Sequence, residues 1–135
     1  MGELLESLAP QGWRVLHDIS FGRGNVDHVL IGPGGVFTVE TKSHAGRIRV
    51  DRIEPAMLSQ AYAQRKVLER ITQREVDALL VFSRAYLTPA ISRRKGVLVL
   101  PARLLGGHLS RRPAVLTEGA VERILALLRG ALETA

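Results

Sequence analysis

The chain has no cysteine, so disulfide staples, thiolate nucleophiles and cysteine-ligated metals are excluded, and a reducing cytoplasm is the simplest home. Aromatic residues make up only 4% of it, which leaves no evident platform for stacking unpaired bases. No apolar run approaches the roughly 18 residues of a membrane span. The opening "MGELLESLAP" carries two acids where a secretory signal would carry basic residues ahead of a long apolar core. A soluble protein with no membrane partner is expected. Acids are the minority charge: 13 Asp and Glu face 19 Lys and Arg, for a formal net charge of +6. Such a surplus favours a polyanionic partner through phosphate contacts, although it also aids solubility with no partner at all.

What is present is apolar. Hydrophobic residues make up 46% of 135 residues, enough for a core without staples, and one domain over residues 1–135 is the default at this length. Leu4, Leu5 and Leu8 at helical spacing predict a short first helix, closed by "PQG". "WRVLHDIS" reads as a strand and "GRGN" as a loop. "VDHVLIGPGGVFTVETK" reads as a hairpin with a Pro/Gly turn, and "GRIRVD" as an optional further strand. "PAMLSQAYAQRKVLERI" is helical with proline at its mouth, "DALLVFS" and "GVLVLP" suit strands buried on both faces, and Thr117 caps a closing helix striped by Val121, Ile124, Leu125, Leu128 and Leu132. The predicted order is αβββαββα, an α/β fold with a central mixed sheet flanked by helices.

Alternation along a strand places Val36, Thr38, Glu40 and Lys42 on one side and Phe37, Val39 and Thr41 on the other. Glu40 and Lys42 then stand roughly 6 to 7 Å apart, close enough to meet over one phosphate or one metal-bound water. An E-x-K at a strand end is more often a solvated charge pair. Asp27 shifts that balance, because the tight turn at Pro33, Gly34 and Gly35 folds the start of one strand beside the end of the next. Paired carboxylates suit a hard cation that prefers oxygen ligands and keeps waters. His17, His28, His44 and His108 form no dense ligand set, which argues against zinc.

The stretch "GNVDHVLIGPGGVFTVETKSHAGRI" resembles the nuclease-related domain (NERD), a branch of the PD-(D/E)xK nuclease superfamily. The likeness is specific over residues 24 to 48 and looser over the rest: Gly2 and Glu3, the "SQA" at Ser59 to Ala61, and the final helix. It implies a restriction-endonuclease-like fold and a site made of Glu3, Asp27, Glu40, Lys42 and Gln60. Asp27 and Glu40 would ligate Mg²⁺ or Mn²⁺, while Lys42 would orient or help deprotonate the attacking water and steady the developing phosphorane charge. Glu3 would complete the metal shell or position water, and Gln60 would hold a water or a backbone phosphate. DNA is the expected substrate, with RNA left open, and cutting both strands would call for two active sites and hence a homodimer.

A 100° wheel tests two of these assignments. It groups Met57, Ala61, Val67, Leu68 and Ile71, with Gln60 and Gln64 on the same inward side, so Gln60 is expected beside a polar site or as a satisfied structural amide. Glu3 falls opposite its leucine stripe, where an acid in a first helical turn is the plainer reading. A site residue so near the first residue also raises the expectation of upstream residues that anchor the helix. Lys66, Arg93, Arg94 and Lys95 are the nucleic-acid-binding candidates, and Arg65, Arg111 and Arg112 are further basic residues of a kind usually solvated. Two other readings stay open: a nucleic-acid-binding or scaffold module that keeps the fold without turnover, and a structural domain in which Glu40 and Lys42 form a stabilising ion pair.

Overall fold

The computed structural model describes residues 1–21 and 25–134. The loop expected at "GRGN" therefore lies outside the described residues except for Asn25. In chain order the elements are α1 (Gly2–Glu6), β1 (Arg14–Ser20), β2 (Asn25–Gly32), β3 (Gly35–Arg49), α2 (Pro55–Thr72), β4 (Val76–Thr88), β5 (Ser92–Arg94), β6 (Val97–Pro101), α3 (Ala102–Ser110) and α4 (Glu118–Thr134). The strands form one six-stranded sheet in the order β1-β2-β3-β4-β6-β5. It is mixed: β3 with β4 and β4 with β6 are parallel, and the other pairs are antiparallel. Among the described residues no helix is long and apolar enough to cross a membrane.

Both faces are covered, as the apolar runs of β4 and β6 demand. On one face α1 and α3 set Leu5, Leu8, Leu105 and Leu109 over Leu30, Phe37, Val39, Leu79, Val81 and Leu100. On the other, α4 packs Val121, Ile124, Leu125 and Leu128 against Val29, Ile31 and Val36. Beside it α2 packs Leu58 and Ala61 against Ala78, Leu80, Phe82, Val97 and Val99. The expected stripe of α4 and its cap are present: Thr117 Oγ1 accepts from the Ala120 N–H at 3.1 Å. Helix α2 begins with Pro55 at its mouth and ends where Gln73 turns left-handed at φ 55°.

Against αβββαββα with its optional further strand there are three differences: two elements are added, and the optional strand does not form by itself. "GRIRVD" is no separate strand, because β3 runs unbroken in pairing with β4 through Arg49, apart from a bulge between Lys42 and Ala45. A short strand, β5, pairs with β6 through a two-residue turn, with Arg94 opposite Val97 and both Lys95 and Gly96 at positive φ. Lys-Gly is an unusual filling for a turn that favours Asn-Gly, so the hairpin left no strong mark in the sequence. The third difference is α3, whose Gly106 and Gly107 each cost about 1 kcal/mol in a helix. Burial of Leu105 and Leu109, one turn apart, outweighs them.

The edge strand β1 is also irregular. Asp18 adopts φ 51°, and the pairing with β2 passes from His17↔His28 to Ile19↔Val26 across it. At the other end of β2, the hairpin closes with Gly32 opposite Gly35. Trp13 lies directly on Gly32 and stands 5.6 Å from the Phe37 ring centroid.

That contact makes a direct test of the hairpin's seating. A Cβ at Gly32 would fall 2.4 Å from ring carbons of Trp13, so either the indole or the hairpin must shift, at a cost of about 1–3 kcal/mol. In urea unfolding followed by fluorescence of the lone tryptophan, Gly32→Ala should lower the midpoint with the slope unchanged. An unchanged midpoint would mean that Trp13 is not seated on Gly32.

Candidate active site

The ladder between β2 and β3 ends at His28↔Val39, while β3 continues beside β4. One step past that last pair, Asp27 and Glu40 come side by side on the face covered by α2. The strands part there, and the Asp27 side chain takes over the broken ladder: its Oδ2 accepts from the Thr41 N–H at 2.9 Å and from the Thr41 hydroxyl at 3.0 Å. Among the described residues nothing hydrogen-bonds to Asp27 Oδ1.

Glu40 is 6% exposed, a carboxylate almost fully withdrawn from water. Burial pushes its pKa up, the neighbouring charge of Asp27 pushes it further, and the hydrogen bond from Gln64 with the nearby charge of Lys42 pulls the other way. Gln64 is buried too. Its Nε2 donates to the Asn25 carbonyl at 2.6 Å and to Glu40 Oε1 at 3.1 Å. Both neighbours are oxygens, so the amide cannot be turned over without setting oxygen against oxygen. That leaves Gln64 Oε1 pointing away, buried and without a hydrogen-bond partner among the described residues, a situation that costs about 1–3 kcal/mol unless a donor arrives.

Lys42 is half-buried on the same side of β3 as Glu40, two residues on. Its ammonium makes no hydrogen bond or ion pair among the described residues. The arrangement therefore offers two adjacent carboxylates, an acceptor awaiting a donor and an uncommitted cation. A hard divalent ion fits this donor set, since it would offset the repulsion between the acids and bring waters that could donate to Gln64 Oε1. Among the described residues no group of three or more His, Cys, Asp or Glu side chains could hold a metal ion, so a cation here would rest on Asp27, Glu40 and waters.

Of the residues named from sequence, the fold thus brings Asp27, Glu40 and Lys42 together and not the other two. Gln60 is exposed, and the inward amide is Gln64. The two differ by only 40° on a helical wheel. The buried stripe of Leu58, Ala61, Leu68 and Thr72 lies on the far side of Gln64 from Gln60, which carries Gln60 past the edge of the covered face. Glu3 is exposed and makes no side-chain hydrogen bond or ion pair among the described residues, and the acid of α1 that meets the sheet is Glu6. Glu6 Oε1 lies 2.7 Å from His17 Nε2, and His17 Nδ1 lies 2.8 Å from His28 Nδ1, so the facing nitrogens share one proton. Burial, then His17, lowers the pKa of His28. This chain of side chains went unseen in the sequence because pairing His17 with His28 requires the register of β1 on β2.

The basic candidates are spread out and largely engaged. Arg93 forks onto Asp77 at 3.0 and 3.4 Å, and Arg112 meets the same acid at 3.2 Å. Arg94 donates to the Val50 carbonyl at 2.5 Å, and Lys66 pairs with Glu69 at 3.3 Å. Lys95 sits in the β5–β6 turn next to Gly96, which abuts Tyr62 on the flank of α2 away from Gln64.

Comparison with known proteins adds a family. The sequence model of the nuclease-related domain matches residues 1–88. No curated protein matches the chain. Among solved structures, SfsA of Pyrococcus furiosus in complex with Ca²⁺ is 16% identical, over 96% of this chain and 49% of its own, with a TM-score of 0.37. The chain spans about half the length of that protein, and a likeness this distant carries no argument.

The raised pKa of Glu40 has a measurable consequence. An acid that holds its proton to higher pH when folded than when unfolded favours the folded state at low pH, and that contribution is lost as pH rises through the folded pKa. Glu40→Gln removes the titration while keeping an acceptor for Gln64. Without divalent cations, Glu40→Gln should gain stability over the parent as pH rises from about 4 to about 8 in denaturant titrations. A constant difference across that range would place the carboxylate in water.

Proposed function

The chain belongs to the nuclease-related domain family, and we propose that it is a Mg²⁺-dependent nuclease domain that hydrolyses DNA phosphodiester bonds, with Asp27, Glu40 and Lys42 as its working residues. The observation that carries this reading is the buried Glu40 carboxylate, held against Asp27 by Gln64 where β2 and β3 part. A fold meant only to be stable gains nothing from two acids there, since an uncompensated buried charge costs several kcal/mol. The order of a hairpin bearing Asp and E-x-K, followed by a helix that closes over it, supports a restriction-endonuclease-like core. Mn²⁺ meets the same oxygen preferences as Mg²⁺.

In this reading Asp27 and Glu40 would hold the cation, which would supply Lewis-acid polarisation of the phosphate. Thr41 fixes Asp27 through two hydrogen bonds to Oδ2, leaving Oδ1 as the free ligand. Gln64 fixes Glu40 and offers Oε1 to a water. Lys42, uncommitted in the resting protein, hydrogen-bonds the attacking water or a non-bridging phosphate oxygen as negative charge builds. The water oxygen bonds to phosphorus, the bond to the leaving sugar oxygen breaks, the water's proton leaves to solvent, and the sugar oxygen takes up a proton from solvent or from the Lys42 ammonium. The exposed Gln60, one turn from Gln64 on the same flank, is placed to meet a phosphate rather than the cation. A cytoplasmic protein acting as a homodimer on duplex DNA accords with this reading.

The test is cleavage of plasmid and linear DNA in Mg²⁺ or Mn²⁺. Asp27→Asn and Glu40→Gln should abolish metal binding by calorimetry together with cleavage. Lys42→Ala should keep the metal while losing roughly 100-fold or more in rate. Cleavage that persists unchanged in all three variants would sink the assignment. DNA binding without metal affinity or turnover would identify a binding module that keeps the nuclease fold.

A further inference from the structure

Beyond the bulge that follows Lys42, β3 and β4 run on together from Ala45↔Arg84 to Arg49↔Thr88. The inward side of this extension is apolar: Ala85 and Leu87 pack with Val50 and Ile53. The outward side is not covered by any described helix. There Arg47 pairs across the strands with Tyr86, whose side chain is 68% exposed. Arg84 and Tyr86 border a groove of about 170 Å³ whose other wall includes Arg103, at the start of α3.

These three arginines differ from five others that are held by acids. Arg14, Arg49, Arg65, Arg93 and Arg112 each face an acid. Arg47, Arg84 and Arg103 have no ion pair or hydrogen bond among the described residues. Like charges gathered on one open surface, with no acid among them, repel each other and are best relieved by a polyanion. An exposed tyrosine among them adds a flat apolar face suited to an unpaired base. Along β4 the surface starts near the candidate active site, since Lys42 pairs with Phe82 and Tyr86 lies four residues on, at most roughly 13 Å along the strand. It lies on the α3 side of the sheet and Glu40 on the α2 side, so a strand joining them crosses from one face to the other.

The geometry points to a binding surface for a single-stranded stretch of nucleic acid. Its phosphates lie on Arg47, Arg84 and Arg103, one base lies on the Tyr86 ring, and the strand leads away from the scissile bond. The inference rests on the nuclease reading above and specifies the form of substrate that the site receives.

Fluorescence anisotropy with a labelled oligothymidine and with a matched duplex, in Ca²⁺ over a range of NaCl, tests it. Replacing Arg47, Arg84 and Arg103 together by alanine should weaken binding of the single strand at least about tenfold and reduce the magnitude of its log–log salt slope by about 2. A control with Arg70, Arg123 and Arg129 changed to alanine, equal in charge, should leave the slope near that of the parent. Tyr86→Ala should weaken binding at least about fivefold, while Tyr86→Phe retains it. If the parent binds neither oligonucleotide, the nuclease reading falls and this inference with it. If the parent binds and the two triple variants weaken alike, or Tyr86→Ala matches Tyr86→Phe, the surface alone is refuted.

Discussion

A carboxylate shut away from water must be compensated, and most of what is specific in this molecule can be traced to how Glu40 is. Its strand pairs with β4 along nearly all its length and with β2 only through Val39, losing β2 at the one place where an acid from each strand would meet. Gln64 reaches in from α2 to the Glu40 carboxylate and to the Asn25 carbonyl, so one amide ties the helix to both separating strands. Thr41 reaches sideways to Asp27. The hydrogen bonds hold the two acids in place side by side.

The surrounding fold supplies the stiffness that this requires. Phe37 and Val39 lock β3 from one face through the layer under α1 and α3, while α2 and α4 press on the other. A strand clamped on both faces cannot turn to carry Glu40 into solvent, so the cost of burial stays in the native state and is available to favour ligand binding. Past the bulge the constraint is relaxed, and the same two strands present arginines and a tyrosine on an open surface. Charge thus changes sign along β3 within a few residues, from the acid at Glu40 to the guanidinium groups of Arg47 and Arg49.

Much of this was legible in the sequence, for identifiable reasons. The "GPGG" turn fixes which residues of two strands lie across from one another, and period-2 alternation then puts Glu40 and Lys42 on one side. The inward face of α2 was read correctly as a face but not at its margin, where 40° separates the buried Gln64 from the exposed Gln60. The first helix was read as helix, yet which of its acids meets the sheet depends on the register of β1, which no local pattern records. Helix α3 was masked by two glycines and β5 by an atypical turn, both overridden by packing. The arginine-rich surface was missed because Arg47, Arg84 and Arg103 are far apart in the chain. The clusters that stand out by eye, at Arg93 and Arg94 and at Arg111 and Arg112, include residues occupied with Asp77 and a backbone carbonyl.

The left-handed backbone at Asp18 bears on how such domains could come together. A sheet grows most easily by adding a strand to a straight, unpaired edge, and both edges here discourage it. β1 turns left-handed at Asp18, the one position where a pair with β2 is missing, and β5 at the far edge is only three residues long. Neither presents a continuous row of free peptide groups to a second copy. Two molecules working on opposite strands of one duplex would therefore be brought into register by the nucleic acid or by side-chain surfaces of the helices, and not by fusing their sheets.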